Sequence, residues 1–96
     1  IKGMLHMKKN VKVREILGKE CNIEDAILLR EIIKNNLEDG IQLDFEGVNR
    51  VATTFLNCLL NDLITKYGRK YVFQQVDVKN LSNVRDFSRV VLGTTF

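Results

Sequence analysis

The chain contains no proline, one histidine and two cysteines, and each scarcity narrows what it can be. Without proline there is no Pro-rich linker, and no repeat or low-complexity stretch takes its place. Its 96 residues therefore read as one domain, with a core that is adequate but not generous. The single histidine, His6, lies far from Cys21 and Cys58 in the chain, so a Cys–His nucleophile is not expected. The two cysteines lack zinc-like spacing, and no Gly-rich phosphate loop or nucleophile elbow is present, so neither metal nor cofactor is expected. No apolar run approaches the roughly 18–20 residues needed to span a bilayer, and no apolar block near the start resembles a signal peptide. Two cysteines in such a chain read as reduced and cytoplasmic rather than as a structural disulfide.

Clustered positive charge is also scarce. The net charge is +3, but residues 1–20 hold six bases (Lys2, Lys8, Lys9, Lys12, Arg14, Lys19) against two acids, Glu15 and Glu20. The rest of the chain is close to neutral, and its one basic pair, Arg69–Lys70, follows a helix end where cations are favoured anyway. Nucleic-acid binding needs several phosphates neutralised together, so only Lys8, Lys9, Lys12 and Arg14 offer a route to it. The stretch Ile1–His6 has no clear period and is read as a leader, with Met7 opening a single domain over 7–96.

What is present is a regular alternation of elements. Asn10–Arg14 alternates Val11 and Val13 with Lys12 and Arg14, a short strand, and Glu15–Gly18 reads as a turn. Asn22 caps a helix, with Asp25 reinforcing its start, and Ile23, Ala26, Leu28, Leu29, Ile32 and Ile33 form its apolar stripe. Ile41–Glu46 alternates strictly, with Ile41, Leu43 and Phe45 on one face and Gln42, Asp44 and Glu46 on the other. A strand covered on both faces would be apolar throughout, so this alternation implies a sheet with helices largely on one side. Val51, Phe55, Leu56, Leu59, Leu60, Leu63, Ile64 and Tyr67 mark the longest helix, stopped at Gly68. Tyr71–Val78 reads as a third strand, and Asn80–Ser82 caps a last helix carrying Val84, Phe87, Val90 and Val91. The order β-α-β-α-β-α with right-handed crossovers predicts a mainly parallel sheet.

Three groups of residues invite a functional reading. Thr53 and Thr54 stand where the long helix should be capped, and a phosphate at such a position would be favoured by free N–H groups and the helix dipole. Asp44 and Glu46 share one polar strand face, which for two carboxylates with no evident third partner reads first as a pair that is solvated or holds the turn to Asn49 and Arg50. Cys58 lies beside the apolar stripe and reads as a small buried thiol. An alternative hydrolase or transferase function would have to use Asp44, Glu46 or Cys58.

Leu43–Asp44–Phe45–Glu46–Gly47–Val48, followed after five residues by Thr54–Phe55–Leu56–Asn57, resembles the "LDFEGV…SF-x-D/N" pattern of STAS-like domains. These are relatives of the anti-sigma factor antagonists. The family motif falls here on Asp44, Phe45, Glu46, Gly47 and Phe55. The resemblance implies a STAS-like α/β fold and a non-enzymatic regulatory module that docks a protein partner, in the antagonists a histidine-kinase-like ATPase. It places docking at Asn49, Arg50, Thr53, Thr54 and Asn57, and a phosphorylation switch at Thr54, with Thr53 beside it. The antagonists' Asp-Ser-Ser-Gly becomes Ala52–Thr53–Thr54–Phe55, and Cys58 stands where the pattern often has Glu.

Overall fold

The computed structural model describes residues 8–93, so the leader reading of Ile1–His6 lies outside the described residues. Three short strands, β1 (Lys9–Lys12), β2 (Ile41–Asp44) and β3 (Val76–Lys79), form one parallel sheet in the order β1-β2-β3. Five helices accompany them: α1 (Val13–Leu17), α2 (Ile23–Asn36), α3 (Thr53–Tyr67), α4 (Arg69–Gln75) and α5 (Val84–Leu92). Each new strand is added on the same side of the last. Right-handed crossovers then carry α2, and later α3 with α4, over the same sheet face.

Burial follows that geometry. In register across the sheet, Val11, Leu43 and Val78 form one row toward the helices, with Ile41 and Val76 in the next. Of these, Ile41 and Leu43 on the central strand are fully buried. The opposite face carries Asn10, Gln42 and Asp77 in one row and Lys12, Asp44 and Lys79 in another. The expectation of a one-sided sheet holds, because the period-two pattern of β2 is matched to a single helical layer. On that layer α3 buries Phe55, Leu56, Leu59, Leu60 and Leu63, each worth roughly 1.5–3 kcal/mol before the entropy of ordering is subtracted.

Several local expectations are corrected. The turn at Glu15–Gly18 is instead helix α1, which starts with the fully buried Val13 where β1 leaves the sheet. The strand read over Tyr71–Val78 is helix α4 followed by the four residues of β3. β2 is only four residues long, and its β3-facing edge is filled by Val76–Lys79, so Tyr71–Gln75 has no ladder to join. Gln74, within the supposed strand, is an exposed helical residue whose carbonyl accepts from Lys8 Nζ at 2.7 Å. The last helix is capped at Asn83, not over Asn80–Ser82. In α2, Ala26, Leu29 and Ile33 are buried, while Ile23 and Leu28 from the expected stripe are about half exposed.

Candidate interaction surface around the start of α3

The loop from Glu46 to Ala52 leaves β2 at the C-terminal edge of the sheet and delivers the chain to α3. Gly47 has φ +79, a turn conformation that favours glycine, and a Cβ there would displace the flexible end of the Arg14 side chain, 2.8 Å away. The rest of the loop is held from two sides. Asn49 donates its backbone N–H to Lys19 O at 2.8 Å and its carboxamide to Glu20, tying the loop to the α1–α2 connection. On the other side, Arg50 Nη2 lies 3.3 Å from Asp86 Oδ2, and Asn83 Nδ2 donates to Val51 O at 2.7 Å. Val51 is buried, which anchors the chain just before the helix. Of the five expected docking residues, Asn49 and Arg50 are therefore occupied in shaping the loop.

Thr53 and Thr54 are placed differently from the expectation that one of them caps α3. The N-cap is Ala52, which has no side chain to accept a hydrogen bond, and the first turn holds no acidic residue. Both threonines are exposed, and neither hydroxyl has a partner among the described residues. Asn57 is half-buried, one turn further along.

The surface beside Thr54 is apolar. Arg30 of α2 donates to Cys58 O at 3.0 Å and pairs with Asp62 at 3.1 Å, fixing which ridges of α2 and α3 face each other. Both helices are crossovers running against a parallel sheet, so they run in the same direction. Ile27 and Ile23 lie three and seven residues before Arg30, and Cys58 and Thr54 lie four and eight before Asp62, so each set follows one helical ridge. Because Arg30 ties the two ridges together, this spacing directs Ile23 and Ile27, 47% and 57% exposed, toward the side of α3 that carries Thr54 and Cys58. The apolar stripe read on α2 took Ile23 into the core and left Ile27 out of it; both are exposed. Their signal was the spacing Ile23–Ile27–Arg30, a second stripe turned away from Ala26, Leu29 and Ile33.

Cys58 is exposed rather than buried, because its position on α3 faces the rim of α2 and not the sheet. Cys21 is half-buried, and burial above all, with Asp25 and Glu20 adding, pushes its thiol up to about 11. Both thiols are free.

Asp44 and Glu46 part company. Asp44 is 5% exposed, not solvated on an open face. Its Oδ1 accepts from Asn80 Nδ2 at 2.9 Å and from the backbone N–H of Glu46 at 3.0 Å, and Lys79 Nζ stands 4.0 Å from Oδ2. The Asn80 hydrogen bond, then the Glu46 N–H and the nearby lysines, hold this carboxyl below its ordinary value. Asp44 thus latches the end of β2 to the turn after β3, where Asn80 itself takes φ +60. Glu46 is exposed and shares with Asp44, Lys12, Arg14 and Glu15 the lining of a shallow hollow of about 320 Å³. Lys12 and Arg14 therefore face acids. Lys8 is spent at the other end of the strand, 2.9 Å from Asp77 Oδ2. Among the described residues no cluster of three or more His, Cys, Asp or Glu is placed to hold a metal, and no helix is long and apolar enough to cross a membrane.

Residues 25–86, from the first turn of α2 to the first turn of α5, match the model of a family described as a STAS-like domain of unknown function. No curated protein matches the chain, and no solved structure does.

Proposed function

From the premise that this chain belongs to the STAS-like domain family, we propose that it is a non-enzymatic regulatory module that docks a protein partner over the start of α3. The docking surface joins Thr53, Thr54 and Asn57 to Ile23 and Ile27 of α2. The observation that carries this reading is the pairing of an uncapped helix start, bearing two unpartnered threonines, with a half-exposed apolar strip beside it. Asn49 and Arg50 serve the surface indirectly, by holding the loop that aims α3.

The same geometry supports Thr54 as the switch. A phosphate adds about −1.5 to −2 charges, which free N–H groups and the dipole of α3 accommodate, so the fold is undisturbed. The charge would, however, stand beside Ile27 and Ile23, where it opposes the docking of an apolar partner surface. The partner class that the antagonist relationship suggests is a histidine-kinase-like ATPase. Against an active site stand the hydrogen bonds that occupy Asp44.

The test is co-purification of partners from native lysate with wild type, Thr54→Glu and Ile27→Glu. The reading expects one protein retained by wild type and lost from both variants while the variants stay folded. Equal retention by all three, or no retention by any, contradicts it.

A further inference from the structure

A second hollow, of about 380 Å³, lies on the far side of the same loop, at the start of α5. Arg50, Arg85 and Arg89 line it together with Asn83 and Asp86. Arg50 and Arg89 both lean on Asp86, at 3.3 and 3.7 Å, while Arg85 has no partner among the described residues. Three bases thus meet one acid here, whereas the other described residues are balanced, eleven bases against eleven acids. Among the described residues, the hollow holds the whole positive excess.

Asn83 supplies the independent observation. It is 7% exposed, and its Oδ1 has no hydrogen-bond donor. Its Nδ2 donates to Val51 O at 2.7 Å and Asp86 Oδ2 at 3.0 Å, so turning the carboxamide over would set its oxygen against two other oxygens. The orphan is therefore an acceptor, in a structure where buried polar groups are nearly always paired. A bare carboxylate or a fully ionised phosphate would suit the arginines but could not satisfy this oxygen. A peptide segment rich in Asp or Glu brings carboxylates and backbone N–H donors together.

We propose that the hollow at the start of α5 binds an acidic peptide segment of a protein. Carboxylates of the segment pair with Arg85, Arg89 and Arg50, and one of its backbone N–H groups donates to Asn83 Oδ1. Arg50 and Asn83 meet on a single atom, Asp86 Oδ2, so a carboxylate that draws Arg50 outward opens the way to the Asn83 oxygen. This site stands apart from the apolar docking strip and does not depend on Thr54.

The test titrates the full chain against a fluorescent hexaglutamate peptide, followed by anisotropy, with the backbone N-methylated peptide and inorganic phosphate as comparators. Arg85→Glu touches no described partner, and Lys34→Glu makes the same charge change on the distant face of α2. The proposal expects saturable binding, weakened about tenfold or more by Arg85→Glu and by N-methylation, and changed no more than about twofold by Lys34→Glu. Absence of saturable binding overturns it, as does equal weakening by the two charge reversals, which would mark non-specific attraction. N-methylation without effect, with phosphate competing equally well, would make this a plain anion site with a water on Asn83 and would also overturn it.

Discussion

Helices α2 and α3 lie side by side in one layer, yet they begin in opposite ways. At the start of α2, the Asp25 carboxylate accepts the Asn22 backbone N–H at 2.9 Å, and Glu24 and Asp25 place negative charge in the first turn. At the start of α3 there is an alanine, no acid and two unpartnered threonines. The helix with the better start buries three residues, and the one with the poorer start buries five. Packing can therefore carry α3 without help from a cap, leaving its first turn free to meet something else. A helix start that adds little to folding is where a modification or a partner can act at small structural cost.

That contrast is broken most severely through the core of α3. Phe55→Ala should destabilise the domain by about 3–5 kcal/mol, since the ring is fully buried and its removal leaves a cavity. Urea unfolding followed by circular dichroism measures it; a loss under about 1 kcal/mol would mean that packing does not hold α3.

The two helix starts should respond in opposite directions. Asp25→Ala should cost about 1 kcal/mol, because the Asn22 N–H loses its acceptor, while Ala52→Asp should add about 1 kcal/mol by supplying the missing cap. If Ala52→Asp is neutral in the same unfolding assay, the start of α3 is already satisfied in some other way.

Asp44 gives a pH-dependent version of the comparison, between a carboxylate that holds the fold and exposed ones that do not. Its folded value lies below the ordinary one of about 3.9, so its contribution is complete above that ordinary value and is lost as pH falls through the lowered folded value. Asp44→Asn should therefore flatten the fall in stability on acidification below about pH 4. Parallel urea series for wild type and variant across that range check the sign. The smallest effect belongs to the exposed pair across the α2–α3 rim. Asp62→Ala should change stability by about 0–1 kcal/mol, because Asp62 is largely solvated.

The elements that were legible in the sequence are those whose period runs long enough to declare itself. Six alternating residues announced β2, thirteen residues of helical spacing from Phe55 to Tyr67 announced α3, and Asn22 with Asp25 marked the start of α2. α1 and α4 were hidden for the same reason in reverse. Five residues make barely more than one helical turn, and the run Tyr71–Val72–Phe73 has the composition of a strand until it is known that β2 offers it no partner. The burial of Asp44 depended on Asn80, 36 residues away, and the cluster of Arg50, Asn83 and Asp86 closes across a similar separation. Such contacts are made by topology and leave no local pattern. The candidate surface was half legible: the motif located Thr54, but only the Arg30 contacts between α2 and α3 set the ridge of Ile23 and Ile27 next to the ridge of Thr54.

The central claim is that the uncapped start of α3 is where the partner sits, and amide hydrogen exchange at Thr53–Phe55 tests it most directly. These N–H groups lack a side-chain cap, so exchange should be fast in the free protein and slow at least about tenfold when a partner captured from lysate is bound. Unchanged exchange at Thr53–Phe55 in the complex, with protection elsewhere on the domain, would contradict the account.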